Sequence, residues 1–183
     1  MGSPILPFIG IGLTVVAVLF YIIATATNSW ASIDLTLLVV RVKNTYGLWK
    51  TCSPSDPNGN TCVSMTGKGL IAGAITFSRV AMIVSILVAI GALLIPPLVY
   101  FKKLKKKFVK VSAGLIIGTA VLVLLGTISF AVYKVINTLL YSFGYSIILA
   151  WMSVPIAIVG GVLILLGGLK TPVKFMKKDV SLA

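Results

Sequence analysis

The sequence predicts a membrane α-helical protein: a four-transmembrane-helix bundle carrying a small disulfide-stapled extracellular antiparallel β-sheet. Three observations carry that prediction. The chain of 183 residues is 58% hydrophobic and only 10% charged, with a mean hydropathy of +1.11, whereas soluble domains carry about a quarter charged residues. Its apolar residues gather in four runs, approximately Ile5–Ala26, Leu70–Tyr100, Val111–Val132 and Gly144–Leu169. Each is long enough as a helix to cross about 30 Å of hydrocarbon. The only two cysteines, Cys52 and Cys62, stand close together in the polar stretch between the first two runs, as in a disulfide on the outer side of a bilayer. Residues 1–183 read as one tetraspan domain.

The first run ends in Ala24-Thr25-Ala26, which looks like a signal-peptide cleavage site. No lysine or arginine precedes Arg41, however, and about 22 apolar residues exceed a secretory h-region. A retained helix is expected. The next segment, 28–69, is too long for a plain connector and needs structure of its own. Ala31–Thr36 and Val40-Arg41-Val42-Lys43 alternate in polarity, as half-buried strands do. Asn44 reads as a turn before Thr45–Cys52, and Pro54-Ser55-Asp56-Pro57-Asn58-Gly59-Asn60 is a dense turn signal. Thr61–Met65 would return antiparallel, clamped by the disulfide. That bridge closes a loop of about ten residues and contributes roughly 2.5–3 kcal/mol by restricting the unfolded chain. Trp30 and Trp49 lie in the same segment and need cover from water. Leu35–Val40 is more apolar than one exposed face requires; lipid, a neighbouring protomer and the two tryptophans are its candidate partners. Neither outer loop contains an Asn-x-Ser/Thr sequon, so N-glycosylation is not expected.

The second run, about 31 residues or 46 Å as a helix, overshoots the bilayer. Arg79 lies inside it and would be costly at the bilayer centre. Val80–Leu98 spans without it, which puts Arg79 at the outer boundary with 68–78 as a helical extension. The alternative is an arginine snorkelling without a specific partner.

Lysines then orient the chain. Lys102, Lys103, Lys105, Lys106, Lys107 and Lys110 crowd the connection 101–110, and Lys170, Lys174, Lys177 and Lys178 follow the last run. The connection 133–143 has only Lys134. The positive-inside rule places 101–110, the tail 170–183 and both termini in the cytoplasm, with 28–69 and 133–143 outside. The same lysines attract anionic lipid headgroups, at about 1 kcal/mol each. A net charge of +13 distributed this way marks a membrane partner and no nucleic acid. Pro155 inside the fourth run predicts a kink. Gly114 with Gly118, Gly160-Gly161 and Gly167-Gly168 read as close helix packing within the bundle, with a dimer face as the alternative.

The chain has no histidine and no glutamate, and its acids are Asp34, Asp56 and Asp179. Acid–base, nucleophilic and metal chemistry need donor sets this composition lacks. Neither an enzyme nor a cofactor or metal site is expected.

Trp30, then Gly47-Leu48-Trp49-Lys50-Thr51-Cys52, then Cys62, with Arg79 at the outer start of the second helix, resemble the loop signature of the claudins, tetraspan proteins of tight junctions. Phe143-Gly144, Trp151 and Gly160-Gly161 are similar to the family's fourth-span positions. The wider superfamily of peripheral myelin and epithelial membrane proteins shares parts of this motif. The resemblance implies a left-handed four-helix bundle under a five-strand sheet, four strands from the first loop and one from the second. It also implies protomers that polymerise side by side, with themselves and with other claudin-like proteins, at cell–cell junctions of the plasma membrane. Three departures mark a divergent member. The second outer loop is short, no cytoplasmic cysteine is present for palmitoylation, and the final Val180-Ser181-Leu182-Ala183 makes a poor ligand for PDZ scaffolds.

The outer segment 28–79 carries Arg41, Lys43, Lys50, Lys68 and Arg79 against Asp34 and Asp56, a net charge of +3. A narrow passage lined this way favours anions, and Arg41, Lys43 and Lys50 are the candidate charge filter, solvated strand cations being the alternative. Val63, after the second cysteine, is neutral. The functional expectation is a paracellular barrier or anion-favouring pore. An auxiliary subunit of a channel or receptor, and an adhesive membrane-shaping protein, are the readings from other classes.

Overall fold

The computed structural model describes residues 5–37, 40–55, 59–65, 70–101, 107–137 and 141–170. Four helices, α1 (Leu6–Ala26), α2 (Leu70–Tyr100), α3 (Lys107–Asn137) and α4 (Tyr145–Lys170), are each long and apolar enough to cross a membrane. In hydrocarbon the backbone must satisfy itself, which a helix does within one segment. Around the bundle α1 packs on α4, α4 on α3, α3 on α2, and α2 back on α1.

Helix-to-helix contact relies on small residues, as expected where water drives no apolar association. Along the α1–α4 seam a Cβ on Gly10 would fall 2.7 Å from the Gly160 carbonyl, and one on Gly160 would fall 2.5 Å from Thr14 Oγ1. Farther along, Gly167 abuts Pro7, while Gly161 faces Ala113 and Ile117 of α3. Gly114 and Gly118 behave otherwise: a Cβ on either meets nothing within 4 Å. They face outward from the bundle, so the expected internal role holds for the α4 glycines Gly160, Gly161 and Gly167 and fails for this α3 pair.

α3 is longer than the apolar run Val111–Val132, extending back to Lys107 and on to Asn137. Lysine ends a hydropathy run but not a helix, since its helix propensity is good. Lys107 and Lys110 therefore belong to the first turn of α3. In α2, Pro96 lacks the N–H that would bond to Ala92, four residues earlier. Ser112 Oγ of α3 donates to that carbonyl instead, at 2.7 Å, and is fully buried there.

One antiparallel sheet, in the order β4-β3-β2-β1-β5, sits at one end of the bundle; β1 is Ala31–Leu37, β2 Val40–Tyr46, β3 Lys50–Ser55, β4 Gly59–Ser64 and β5 Ser142–Phe143. Asn44 is not a turn residue: it lies inside β2 opposite Ile33. The turn comes three residues later, closed by the Gly47 N–H on the Lys50 carbonyl at 2.9 Å. Propensity marked asparagine as punctuation, and strand pairing overrode it. β3 and β4 pair from Lys50↔Ser64 to Ser55↔Gly59, with Cys52 opposite Cys62 and the disulfide formed between them. Pro54 is tolerated because the β2 pairing of β3 is confined to Thr51 and Cys52.

Candidate functional site

Every helix ends with backbone carbonyls that its own turns cannot reach. At the end of α1 those carbonyls hold the sheet. Ala24 accepts from Trp30 Nε1 at 2.7 Å, and Thr25 from Trp49 Nε1 at 2.8 Å. Two indole N–H groups from the segment after the helix thus cap it. Trp30 is fully buried, edge-on to Phe130 at 5.0 Å, and Leu48 is also fully buried. The turn that delivers Leu48 and Trp49 must begin with glycine. A Cβ on Gly47 would lie 2.5 Å from Asn28 Oδ1 and 2.6 Å from Asn28 Cα.

Arg79 fastens the same turn to α2. Its Nε donates to the Leu48 carbonyl at 2.8 Å and a terminal nitrogen donates to the Met65 carbonyl at 2.6 Å. The guanidinium carbon sits 5.2 Å from the centre of the Trp49 ring, within cation–π range. Met65 in turn donates its N–H to the Trp49 carbonyl. The arginine therefore has specific partners at the junction of sheet and bundle, and the reading of a partnerless snorkelling side chain is set aside. Lys68, at the start of the expected extension, lies outside the described residues.

The other side of the sheet is held by the start of α4. Gly144 donates to the Trp30 carbonyl at 3.0 Å and Ser146 to the Ser29 carbonyl at 3.1 Å, while the Thr27 and Ser146 hydroxyls meet at 2.7 Å. Phe143 packs edge-on against Trp151, whose Nε1 donates to Thr127 Oγ1 at 3.1 Å. Sequence reasoning did not find Ser29, Met65, Thr127 or Ser146. Most of these contacts use backbone groups, which every residue carries and no motif advertises.

Strand register divides the sheet into two faces. Residues paired across strands share a face, and alternate residues along a strand switch faces. Thr45↔Cys52, Cys52↔Cys62, Asp34↔Lys43 and Thr36↔Arg41 put positions 41, 43 and 50 on one face, with the disulfide and Asp34. Arg41 and Lys43 are placed there by backbone register, their side chains lying outside the described residues. Lys50 is exposed. The same face continues through Ser32, whose hydroxyl meets that of Ser142 at 2.8 Å. A cavity of about 320 Å³ beside them is lined by Ser29, Ala31, Ser32, Thr45, Ser142, Phe143, Gly144 and Tyr145. Positions 31, 33, 35, 37, 40, 42, 44 and 46 form the opposite face, of which Ala31 and Ile33 are buried and Tyr46 packs against the core. Val63 also falls on that row, 61% exposed near the free edge of β4.

At the far end of the bundle Lys107 and Lys110 are exposed; Lys102, Lys103, Lys105 and Lys106 lie outside the described residues. Compared with known proteins, residues 1–164 match the model of a family described as PMP-22/EMP/MP20/Claudin. No curated protein matches the sequence.

Proposed function

Because the chain belongs to the PMP-22/EMP/MP20/Claudin family, we propose that it is a claudin-type junction protein of the plasma membrane. Copies associate side by side in one membrane, and their sheets wall a paracellular barrier or an anion-favouring passage. In this reading the segments 28–69 and 133–143 face outward, and the lysine-rich segments 101–110 and 170–183 face the cytoplasm together with both termini.

The observation that carries the charge preference is the strand register. It groups Arg41, Lys43 and Lys50 on one face, and among the described residues one acid, Asp34, shares that face opposite Lys43. A low-dielectric wall bearing excess positive charge raises the local anion concentration and opposes cations. The capped and clamped junction at Trp30, Trp49 and Arg79 supports the same reading, since a filter works only if its wall is held against the membrane.

The test is expression in cells that lack tight-junction strands, with freeze-fracture imaging and transepithelial dilution potentials. Continuous strands with an anion-favouring potential, reduced or reversed by Lys50→Asp and Lys43→Asp, are expected. Surface expression without strands or altered conductance would refute the junctional reading and leave an auxiliary-subunit role.

A further inference from the structure

The cavity where β1 and β5 meet the start of α4 has a consistent chemical character. Five of the residues that line it, Ser29, Ser32, Thr45, Ser142 and Tyr145, carry hydroxyls; Phe143 and Tyr145 are aromatic, and none is charged. Its volume of about 320 Å³ stands at the small end of the ligand-sized range, roughly 300–1,000 Å³. Backbone pairing fixes its walls. β5 is held to β1 through Ser32↔Ser142, and the Gly144 and Ser146 N–H groups bind the start of α4 to the Trp30 and Ser29 carbonyls. The Ser32 and Ser142 hydroxyls meet at 2.8 Å, and the Ser142 hydroxyl donates to the Ser32 carbonyl at 3.3 Å. Phe143 is exposed, steadied by edge contacts with Tyr141 and Trp151 at 5.2 and 5.3 Å.

This cavity adjoins the lipid-facing surface. Tyr145 both lines it and opens the apolar span Tyr145–Gly167. Tyr145, Ile148 and Met152 are exposed at spacings of three and four residues, which sets them in one stripe down α4. Trp151 lies about two turns into the span, near the headgroup level that indoles favour. A ligand that fits both surfaces is polar in the cavity and apolar along the helix. We infer that the cavity seats the neutral sugar headgroup of a membrane glycolipid whose chains lie along α4. A phosphate or ammonium headgroup drawn out of water needs an opposite charge, which no lining residue supplies. A side-chain hydroxyl both donates and accepts, as each hydroxyl of a pyranose does, so the two sets pair in either direction. The C–H face of the same ring packs on aromatic surface of the kind Phe143 and Tyr145 provide. The outward placement of the sheet decides only which leaflet supplies the lipid.

The full chain is reconstituted into phosphatidylcholine nanodiscs, which expose both leaflets, so the result does not depend on insertion direction or on any junctional role. The discs are doped at equal mole fraction with glucosylceramide, ceramide or sphingomyelin of matched chains. The protein is released in a detergent whose headgroup carries no sugar, and retained lipid is counted by native mass spectrometry. Glucosylceramide is expected to be retained roughly tenfold over the other two, the net worth of one or two hydrogen bonds. Tyr145→Ala, and Ser142→Leu, which fills the cavity, should each remove most of that preference. Val159→Ala, exposed deeper on α4, should keep it, and circular dichroism identifies which variants are folded. If Ser142→Leu does not fold, Tyr145→Ala decides. An excess of soluble methyl glucoside should leave retention intact, because the chains along α4 hold the lipid in place. Ceramide or sphingomyelin retained as well as glucosylceramide would overturn the inference. So would an unchanged preference in folded Tyr145→Ala, or full displacement by methyl glucoside, which would mark a site for free saccharide.

Discussion

Replacing Arg79 with methionine tests the junction of sheet and bundle most directly. The guanidinium makes two hydrogen bonds, at 2.8 Å to the Leu48 carbonyl and 2.6 Å to the Met65 carbonyl. Bonds to a charged donor contribute about 1.5–3 kcal/mol each, and more is lost when a buried acceptor is left without water. Leu48 is fully buried and Met65 nearly so, so solvent compensates poorly. The stacking on Trp49 adds about 0.5–1 kcal/mol at a half-exposed site. Some of this is recovered because an arginine near hydrocarbon carries its own desolvation cost. The expected loss for R79M is roughly 3 kcal/mol. R79K keeps the charge but not the fork that spans two carbonyls, and about half of the loss is expected. Denaturant unfolding of nanodisc-reconstituted protein, followed by tryptophan emission and repeated in a Trp49→Phe background, measures both. R79M within about 0.5 kcal/mol of the unmutated protein, or R79K indistinguishable from it, would refute the clamp.

Three other perturbations follow from particular contacts. Ser112→Ala leaves the Ala92 carbonyl without its donor beside Pro96, a cost of about 1–2 kcal/mol; combining it with Pro96→Ala should recover most of that, and a double-mutant cycle in unfolding free energy reads the coupling. Gly160→Ala forces a methyl to within 2.5 Å of Thr14 Oγ1 and should destabilise the α1–α4 seam by about 1–3 kcal/mol, whereas Gly118→Ala, into open space, should be neutral or stabilise by up to about 1 kcal/mol; thermal unfolding in the same discs compares the two. Cys52→Ser with Cys62→Ser opens the bridge, whose sequence separation is 10, at a cost of roughly 2.5–3 kcal/mol. Hydrogen exchange should rise across 50–64 while the spanning parts of α1–α4 stay protected, because a helix pairs its backbone N–H groups within its own segment.

The amino-acid sequence by itself determined the quantities that depend on local composition. Four apolar runs specified four helices because a continuous apolar run of about 20 residues satisfies its backbone in hydrocarbon as a helix, whereas barrel strands are shorter and alternate in polarity. Two neighbouring cysteines across a turn specified their own bridge, since a short separation leaves little choice of partner. Alternation at 31–36 and 40–43 specified strands through the two-residue period. Helix ends were less legible: α3 runs past the hydrophobic boundary at both ends because lysine stops hydropathy and not helix. Tertiary structure alone decided the rest. Asn44 joined a strand because Ile33 stood opposite. Glycines of the same type divided, Gly160 into a seam and Gly118 outward, because spacing within one helix does not say which side another helix will cover. That Trp30 and Trp49 would find the carbonyls of Ala24 and Thr25, and Arg79 those of Leu48 and Met65, could not be read in advance. Carbonyl acceptors are identical at every residue, and only the fold determines which are left unpaired and within reach.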